Sequence, residues 1–138
     1  GSKQETVSIQ NQFLSVIQLV SGEKKAVISI GGKYDNVAQA ISKTEDFSHF
    51  ALQVVKPLPL KELKSIFSEY KETFIVEDGV KNGGIGMNIL SWANDNNLTN
   101  KVNILAFPDQ FIEHGSPEEL YDSIGMSPDK IKSWLNAK

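Results

Sequence analysis

The chain has 138 residues and a formal net charge of -3, and apolar residues make up 40% of it, which suits one folded domain with a buried core. It contains no cysteine, which excludes disulfide bonds and thiolate metal sites and is typical of a cytoplasmic protein. The acids and bases are dispersed, so no basic stripe favours nucleic-acid binding, and no apolar run approaches the ~20 residues that a membrane span needs.

The first two residues, Gly1 and Ser2, are interpreted as a remnant of cloning and are left out of the fold. Residues 3–138 are then predicted to form a single domain. Because the remnant is followed directly by KQETVSIQ, we expect the domain to be a segment of a longer protein.

Apolar runs rich in β-branched residues alternate with runs that carry apolar residues at helical spacing. In chain order, the predicted elements begin with a strand at Thr6–Gln10, a strand or short helix at Phe13–Val20, a strand at Lys25–Ile30 and a helix at Tyr34–Ser42. They continue with a strand at Phe50–Val55, a helix at Leu60–Tyr70, a strand at Thr73–Val76, a helix at Gly84–Asn94 and a strand at Val102–Phe107. Two further helices are predicted to start at the capping sequences Ser116-Pro117-Glu118-Glu119 and Ser127-Pro128-Asp129-Lys130.

Strands that alternate with single helices imply right-handed crossover connections. The sequence therefore predicts a three-layer α/β/α domain. Its sheet is expected to be mostly parallel, with about five strands and one antiparallel edge strand.

A glycine-rich turn, EDGVKNGGIGMNIL at residues 77–90, follows a predicted strand and opens a predicted helix. Nucleotide-binding turns occur in this context, but both of their sequence patterns fail here. The dinucleotide pattern G-x-G-x-x-G has Ile89 at its third glycine, and the phosphate-loop pattern has Ile85-Gly86 in place of its Lys-Ser/Thr pair. Glu77 and Asp78 would also repel a phosphate.

We therefore interpret Gly83, Gly84 and Gly86 as a structural turn, in which glycine permits a positive φ or a close approach of helix and strand. A phosphate site is the less favoured alternative. On the structural interpretation, Gly84→Val should cost a few kcal/mol, through a disallowed backbone angle or a clash with the strand.

Asp109, Glu113 and His114 form a second candidate cluster, which could suit acid–base or metal chemistry. A metal site usually needs three or four converging ligands, and a general base needs an oriented partner. The other histidine, His49, is predicted at the edge of a strand, and Ser116 is already used as a helix cap. We favour local hydrogen bonding for His114 and assign no catalytic, cofactor-binding or metal-binding residue.

Three stretches together resemble the C-terminal domain of the transketolase-like thiamine-diphosphate enzymes. They are VVKPLP at residues 54–59, FIVEDGVKNGGIGMNIL at 74–90 and FPDQFIEHGSPEELYDSIGMSPDKI at 107–131. The last two are most similar to the 1-deoxy-D-xylulose-5-phosphate synthase branch of that family. The resemblance runs from Ala26 to the end of the chain and covers most of it.

The resemblance implies that this domain binds no cofactor itself. Thiamine diphosphate and Mg²⁺ would lie between the two preceding domains of the whole enzyme. The glycines of the turn carry over as a structural motif, as do Pro108, Asp109, His114 and Gly115 in the loop after the last strand. Glu77, Asp109 and His114 remain candidates for contacts at a domain interface.

By the same resemblance, the whole enzyme would join pyruvate and glyceraldehyde 3-phosphate with loss of carbon dioxide, and its product would feed isoprenoid, thiamine and pyridoxal synthesis. Its partners would be the other domains and could include a second subunit. Two rivals stay open. One is the same domain of a transketolase or of a 2-oxo acid dehydrogenase β subunit. The other is a free-standing α/β module that binds a small ligand at the carboxyl ends of its strands.

A domain that normally packs against others should leave an apolar patch uncovered when it stands alone. The expected members come from the N-terminal segment and from the region around the loop after the last strand. They are Phe13, Leu14, Val16, Ile17, Phe107, Phe111 and Ile112.

Overall fold

The structure is a computed structural model that describes residues 16–31, 34–53, 56–80, 84–98, 101–107 and 127–137. The elements in chain order are β1 (Val16–Val20), β2 (Lys25–Ile30), α1 (Tyr34–Ala40), β3 (Phe47–Leu52), α2 (Leu60–Glu69), β4 (Glu72–Val80), α3 (Ile85–Asp95), β5 (Lys101–Phe107) and α4 (Pro128–Ala137). The predicted strand Thr6–Gln10 and the helix predicted to start at Ser116 lie outside the described residues. None of the helices in the described ranges combines the length and the apolar character needed to cross a bilayer.

The five strands form one sheet in the order β1-β3-β2-β4-β5. Strands β3, β2, β4 and β5 run parallel, and β1 pairs antiparallel with β3 at one edge. This confirms the predicted sheet of five strands, mostly parallel, with one antiparallel edge strand. It also shows that the ambiguous segment Phe13–Val20 is a strand over residues 16–20.

Helices cover both faces of the sheet because successive strands are added on opposite sides of β2. The connection from β2 to β3 goes one way across the sheet, and the connections to β4 and then β5 go the other way. Crossovers of one hand place their helices on opposite faces when the direction reverses. Helices α2 and α3 accordingly pack on one face (the α2/α3 face), and α1 and α4 pack on the other (the α1/α4 face), which gives the predicted three layers.

The central strands are buried on both faces, so their sequences are nearly continuous apolar runs. In β2, Ala26 and Ile28 belong to the core of the α2/α3 face, and Val27 belongs to that of the α1/α4 face. Phe74 of β4 is fully buried, and its ring meets that of Trp134 edge-on at 5.4 Å. Burying a side chain of this size contributes about 1.5–3 kcal/mol, so α4 is held to the sheet largely by such contacts.

Two predicted strands differ from the observed ones. The prediction Phe50–Val55 is wrong at both ends, because β3 spans Phe47–Leu52. The polar pair Ser48-His49 interrupts the apolar run in the sequence, yet both residues pair with β2 and are buried. The prediction Thr73–Val76 is too short, since β4 continues to Val80 beside β5.

Candidate functional site at the carboxyl edge of the sheet

The carboxyl ends of β2 and β4 mark the place where a sheet of this topology would hold a ligand. The chain leaves β2 for α1 on one face and leaves β4 for α3 on the opposite face. This reversal opens a crevice, and ligands of open α/β sheets bind in such crevices. Ile30 and Glu77 pair with each other at this point, and Gly31 follows with φ 79°.

A side chain of the protein itself binds the helix N-terminus beside β4. Glu77 is only 3% exposed, and its carboxylate meets the start of α3. Its Oε2 accepts a hydrogen bond from the backbone N–H of Ile85 at 2.6 Å, and its Oε1 accepts one from Gly86 at 2.9 Å. Gly84, at the N-cap, provides no side-chain hydrogen bond, so Glu77 serves as the anion at this helix N-terminus.

Both partners gain from the contact. The first amides of a helix have no acceptor within the helix, and a buried carboxylate is costly unless it is hydrogen-bonded. Hydrogen bonds to a charged group contribute roughly 1.5–3 kcal/mol. The carboxylate of Glu77 therefore fixes the start of α3 against the end of β4.

Gly86 is the glycine that this packing requires. A Cβ atom added to it would lie 3.0 Å from Oε1 of Glu77, 3.2 Å from Cγ2 of Ile104 and 3.4 Å from Cγ2 of Ile75. These neighbours belong to β4 and β5, so the helix passes directly over two adjacent strands. The absence of a side chain at Gly86 thus leaves room for the carboxylate that holds the helix.

The backbone conformation of Gly84 does not require a glycine. Gly84 has φ -81° and ψ 176°, an extended conformation that any residue can adopt. Gly84→Val would therefore not create a disallowed backbone angle, so that reason for its predicted cost is wrong. The close approach of helix and strand is observed at Gly86. Gly83 lies outside the described residues.

This geometry makes the turn a poor site for a phosphate. A phosphate at a helix N-terminus binds the backbone amides of the first turn. Two of those amides already donate to Glu77, and a phosphate placed beside them would meet a buried negative charge. The geometry supports the structural interpretation of the turn over the phosphate alternative.

Ser29 and His49 form a polar pair inside the α1/α4 face. Ser29 Oγ and His49 Nε2 are 2.8 Å apart, and each residue is 1% exposed. Burial lowers the pKa of His49 from its usual 6.5 to about 4, so the ring is neutral at pH 7. His49 lies inside β3, between β1 and β2, and not at the edge of a strand as predicted. A substrate cannot reach a pair this deeply buried, so we assign the pair to the core.

The loop after β1 depends on residues that the sequence analysis did not single out. Ser48 Oγ donates a hydrogen bond to the carbonyl oxygen of Gly22 at 3.0 Å and accepts one from its N–H at 2.8 Å. The same Oγ lies 2.6 Å from the hydroxyl of Tyr70, and burial raises the pKa of that hydroxyl. A Cβ atom on Gly22 would collide with the Phe47 carbonyl oxygen. The pair Ser21-Gly22 does signal a turn, but its partners are known only from the fold.

The remaining predicted site residues, Asp109 and His114, lie outside the described residues, as do Pro108 and Gly115. Across the ranges that the structure describes, no group of three or more His, Asp and Glu side chains is placed to hold a metal ion.

The predicted apolar patch is only partly visible. Val16 and Ile17 are half-buried in β1, and the side chains of the other five lie outside the described residues. Within the described ranges, the large apolar side chains that are exposed are Val20, Tyr34 and Leu60. None of these three was predicted as a patch member.

Comparison with known families and structures agrees with the observed architecture. The family model for the transketolase C-terminal domain matches residues 15–131. A solved structure, "Split gene transketolase, inactive beta4 tetramer", superposes with a TM-score of 0.78 and 14% identity, over 88% of this chain and 41% of that chain. At this low identity the likeness shows the fold alone.

Relatives in sequence are much longer than this chain. The 1-deoxy-D-xylulose-5-phosphate synthase of Phocaeicola vulgatus is 35% identical over 119 residues, which cover 83% of this chain and 19% of that protein. The synthase of Parabacteroides distasonis is 36% identical over 122 residues, covering 86% of this chain and 19% of that protein. The chain thus spans about a fifth of the length of these relatives. Because the family model covers most of the chain and the fold agrees with it, the protein belongs to the transketolase C-terminal domain family.

Proposed function

We propose that this chain is the C-terminal domain of a 1-deoxy-D-xylulose-5-phosphate synthase and that it supplies packing and interface contacts to the catalytic domains. The similarity to these synthases carries the proposal, with 35% identity over 83% of the chain but only 19% of the relative. Residues 3–138 form the domain, and Gly1 and Ser2 lie outside it. A transketolase or a 2-oxo acid dehydrogenase β subunit is the less favoured parent, since the relatives named above are synthases.

The carboxyl edge supports a structural role in place of ligand binding. The carboxylate of Glu77 accepts hydrogen bonds of 2.6 Å and 2.9 Å from the first backbone amides of α3. A cofactor's diphosphate would need the amides of a helix N-terminus, and here those amides are already bound. The start of α3 therefore does not fit the diphosphate of thiamine diphosphate.

In the proposal, the whole enzyme joins pyruvate with glyceraldehyde 3-phosphate, releases carbon dioxide and acts in the cytoplasm. Thiamine diphosphate with Mg²⁺ supplies the carbon–carbon bond chemistry, and both bind to the preceding domains. The product feeds isoprenoid synthesis. The partners of this domain are the other domains of the same polypeptide and a second subunit of the enzyme.

Asp109 and His114 are proposed to contact a neighbouring domain without a chemical role. His114→Ala in the full-length enzyme should then leave turnover within about threefold, whereas loss of a general acid or base costs about a hundredfold or more. A loss of the larger size with intact folding would assign His114 a role in the chemistry.

The proposal is tested by comparing the full-length polypeptide with the 138-residue chain. The full-length polypeptide should release carbon dioxide from pyruvate when glyceraldehyde 3-phosphate is present, and the short chain should not. Calorimetric titration of the short chain with thiamine diphosphate should give no saturable heat at micromolar concentration. Saturable binding by the short chain, or a folded full-length polypeptide without synthase activity, would overturn the proposal.

A further inference from the structure

A cavity of about 250 Å³ opens on the α1/α4 face, between the two helices of that face. One wall is the end of α1 and the turn that follows it, over residues 39–44, and the other wall is α4, over residues 128–136. Phe47, the first residue of β3, also lines it. Because α1 leads from the end of β2 to the start of β3, the cavity lies at the opposite edge of the sheet from Glu77. It is therefore separate from the helix start described above.

The apolar part of the cavity lining is already covered by the domain itself. Ala40, Ile41, Phe47 and Leu135 line the cavity, yet none of them is more than 6% exposed. Apolar burial contributes about 25 cal/mol for each Å² removed from water, so a ligand would gain little from side chains that already exclude water. The cavity therefore disfavours an apolar ligand.

The exposed part of the lining is polar and carries more positive than negative charge. Lys43 lines the cavity from the wall that follows α1, and Lys132 lines it from α4. Neither lysine forms an ion pair within the part of the chain that the structure describes. Among the described residues of the lining, Asp129 carries the single negative charge. An anion in the cavity would thus meet two cations and one carboxylate, which favours its binding.

Uncharged polar groups complete the exposed part of the lining. Gln39 and Asn136 contribute side-chain amides from the two walls, and an amide both donates and accepts hydrogen bonds. The Ser42 hydroxyl donates a hydrogen bond of 3.0 Å to the carbonyl oxygen of Gln39, so its proton is already used. The amides and the acceptor-only carboxylate of Asp129 suit ligand hydroxyl groups, which also donate and accept.

We propose that this cavity binds a small hydroxylated phosphate ester, with its phosphate between Lys43 and Lys132 and its hydroxyl groups toward the amides and Asp129. Lysine binds phosphate as a point charge, and a doubly charged phosphate gains more from two cations than a carboxylate does. The volume limits the ligand to a few carbon atoms, since pockets for drug-sized ligands measure roughly 300–1,000 Å³. The site uses residues of this chain alone, so it does not depend on the proposed function.

Glycerol 3-phosphate has this size and chemistry and serves as the probe. It is titrated into the isotope-labelled 138-residue chain and followed by two-dimensional NMR at about 0.15 M salt, where charges are screened beyond about 8 Å. Backbone amide shifts should saturate at millimolar concentration and be confined to residues 39–44, Phe47 and residues 129–136. Absence of saturable shifts, or shifts that lie mainly elsewhere, would overturn the proposal.

Two further ligands divide the probe into its parts on the unaltered chain. Inorganic phosphate lacks the hydroxylated carbons, and glycerol lacks the charge. Each should bind at least about tenfold more weakly than glycerol 3-phosphate, because each loses hydrogen bonds that the whole ester makes. Equal binding of inorganic phosphate would mean attraction by charge alone, and equal binding of glycerol would mean that the lysines play no part. Either result contradicts the proposal.

The lysines are tested by a pair of matched double variants. Lys43→Gln with Lys132→Gln should weaken the binding of glycerol 3-phosphate by about tenfold or more, since charge-assisted hydrogen bonds are lost. Lys64→Gln with Lys130→Gln removes two exposed lysines from α2 and α4 that do not line the cavity, and it should change binding by less than about threefold. Equal weakening in the two double variants, or none in the first, would overturn the proposal. The three-ligand comparison needs no variant, so it decides the matter even where a variant fails to fold.

Discussion

Strand β4 carries a glutamate near each of its ends, and the two are held in opposite ways. At the amino end, the Glu72 side chain is 17% exposed and lies 3.8 Å from Lys25 Nζ and 3.9 Å from Lys101 Nζ. It also accepts a hydrogen bond from Asn103 Nδ2 at 3.0 Å. Toward the carboxyl end, Glu77 is 3% exposed and accepts two hydrogen bonds from the backbone of α3.

The difference indicates that the stability a carboxylate contributes to the fold depends on the groups that bind it. Lysine side chains are flexible, so holding them beside Glu72 costs side-chain entropy, and such surface ion pairs contribute only about 0.2–1 kcal/mol. The amides of α3 are already fixed by the helix, and burial shields their contact with Glu77 from salt. Glu77 is therefore expected to stabilise the fold well beyond Glu72.

Gly86→Val should break the carboxyl-end arrangement most severely. The new side chain would press on Ile75 and Ile104 and displace the Glu77 carboxylate. We expect a loss of about 3 kcal/mol in the free energy of unfolding, measured by urea denaturation. Gly84→Ala is the matched control, and its extended backbone predicts a change within about 1 kcal/mol. Equal losses for the two variants would contradict the close packing at Gly86.

Glu77→Gln removes the charge while nearly preserving the shape of the side chain. A glutamine has one acceptor oxygen, so its amide nitrogen would face one of the two helix N–H donors. We expect the free energy of unfolding to fall by about 2–3 kcal/mol. A loss close to zero would mean that the two short hydrogen bonds do not hold the start of α3.

Acid should weaken the fold through His49, so the glutamates are best compared at or above neutral pH. The folded state keeps this ring neutral with a pKa of about 4, against 6.5 when it is unfolded. Stability is therefore full above the unfolded pKa and is lost as the pH falls between the two values, by about 2 kcal/mol from pH 7 to pH 5. His49→Gln should flatten this part of the stability curve. A wild-type curve that is already flat there would contradict the buried neutral ring.

Glu72→Gln should have the smallest effect of the series. Its two ion pairs are long, and Lys101 is largely exposed. We expect a loss below about 1 kcal/mol in urea denaturation at low salt. A loss as large as that of Glu77→Gln would remove the contrast between the two ends of β4.

The sheet and its helices were predictable because their signals are local. KAVISI in β2 is a continuous apolar run, and the stripe Leu63, Ile66 and Phe67 in α2 has helical spacing. The polar start of β3 hides its strand, because Ser48 and His49 find their partners only in the folded chain.

The candidate site was predictable only in part, for a similar reason. The failed nucleotide patterns and the acidic residues predicted a structural turn instead of a phosphate site. The role of Glu77 as a helix anchor was not predicted, because its partners Ile85 and Gly86 are eight and nine residues later and face it only after α3 has packed. Gly86 was predicted only as one of three turn glycines, because its close approach depends on the crossing of α3 over β4 and β5.

The most direct test of the buried anchor is the salt dependence of the two glutamine variants above neutral pH. In about 1 M salt the screening length is about 3 Å, which suppresses contacts between exposed charges. The cost of Glu72→Gln should then approach zero, while Glu77→Gln should still cost about 2 kcal/mol. If salt removes both costs, or if the two costs are equal at every salt concentration, Glu77 is not the buried anchor that joins α3 to the sheet.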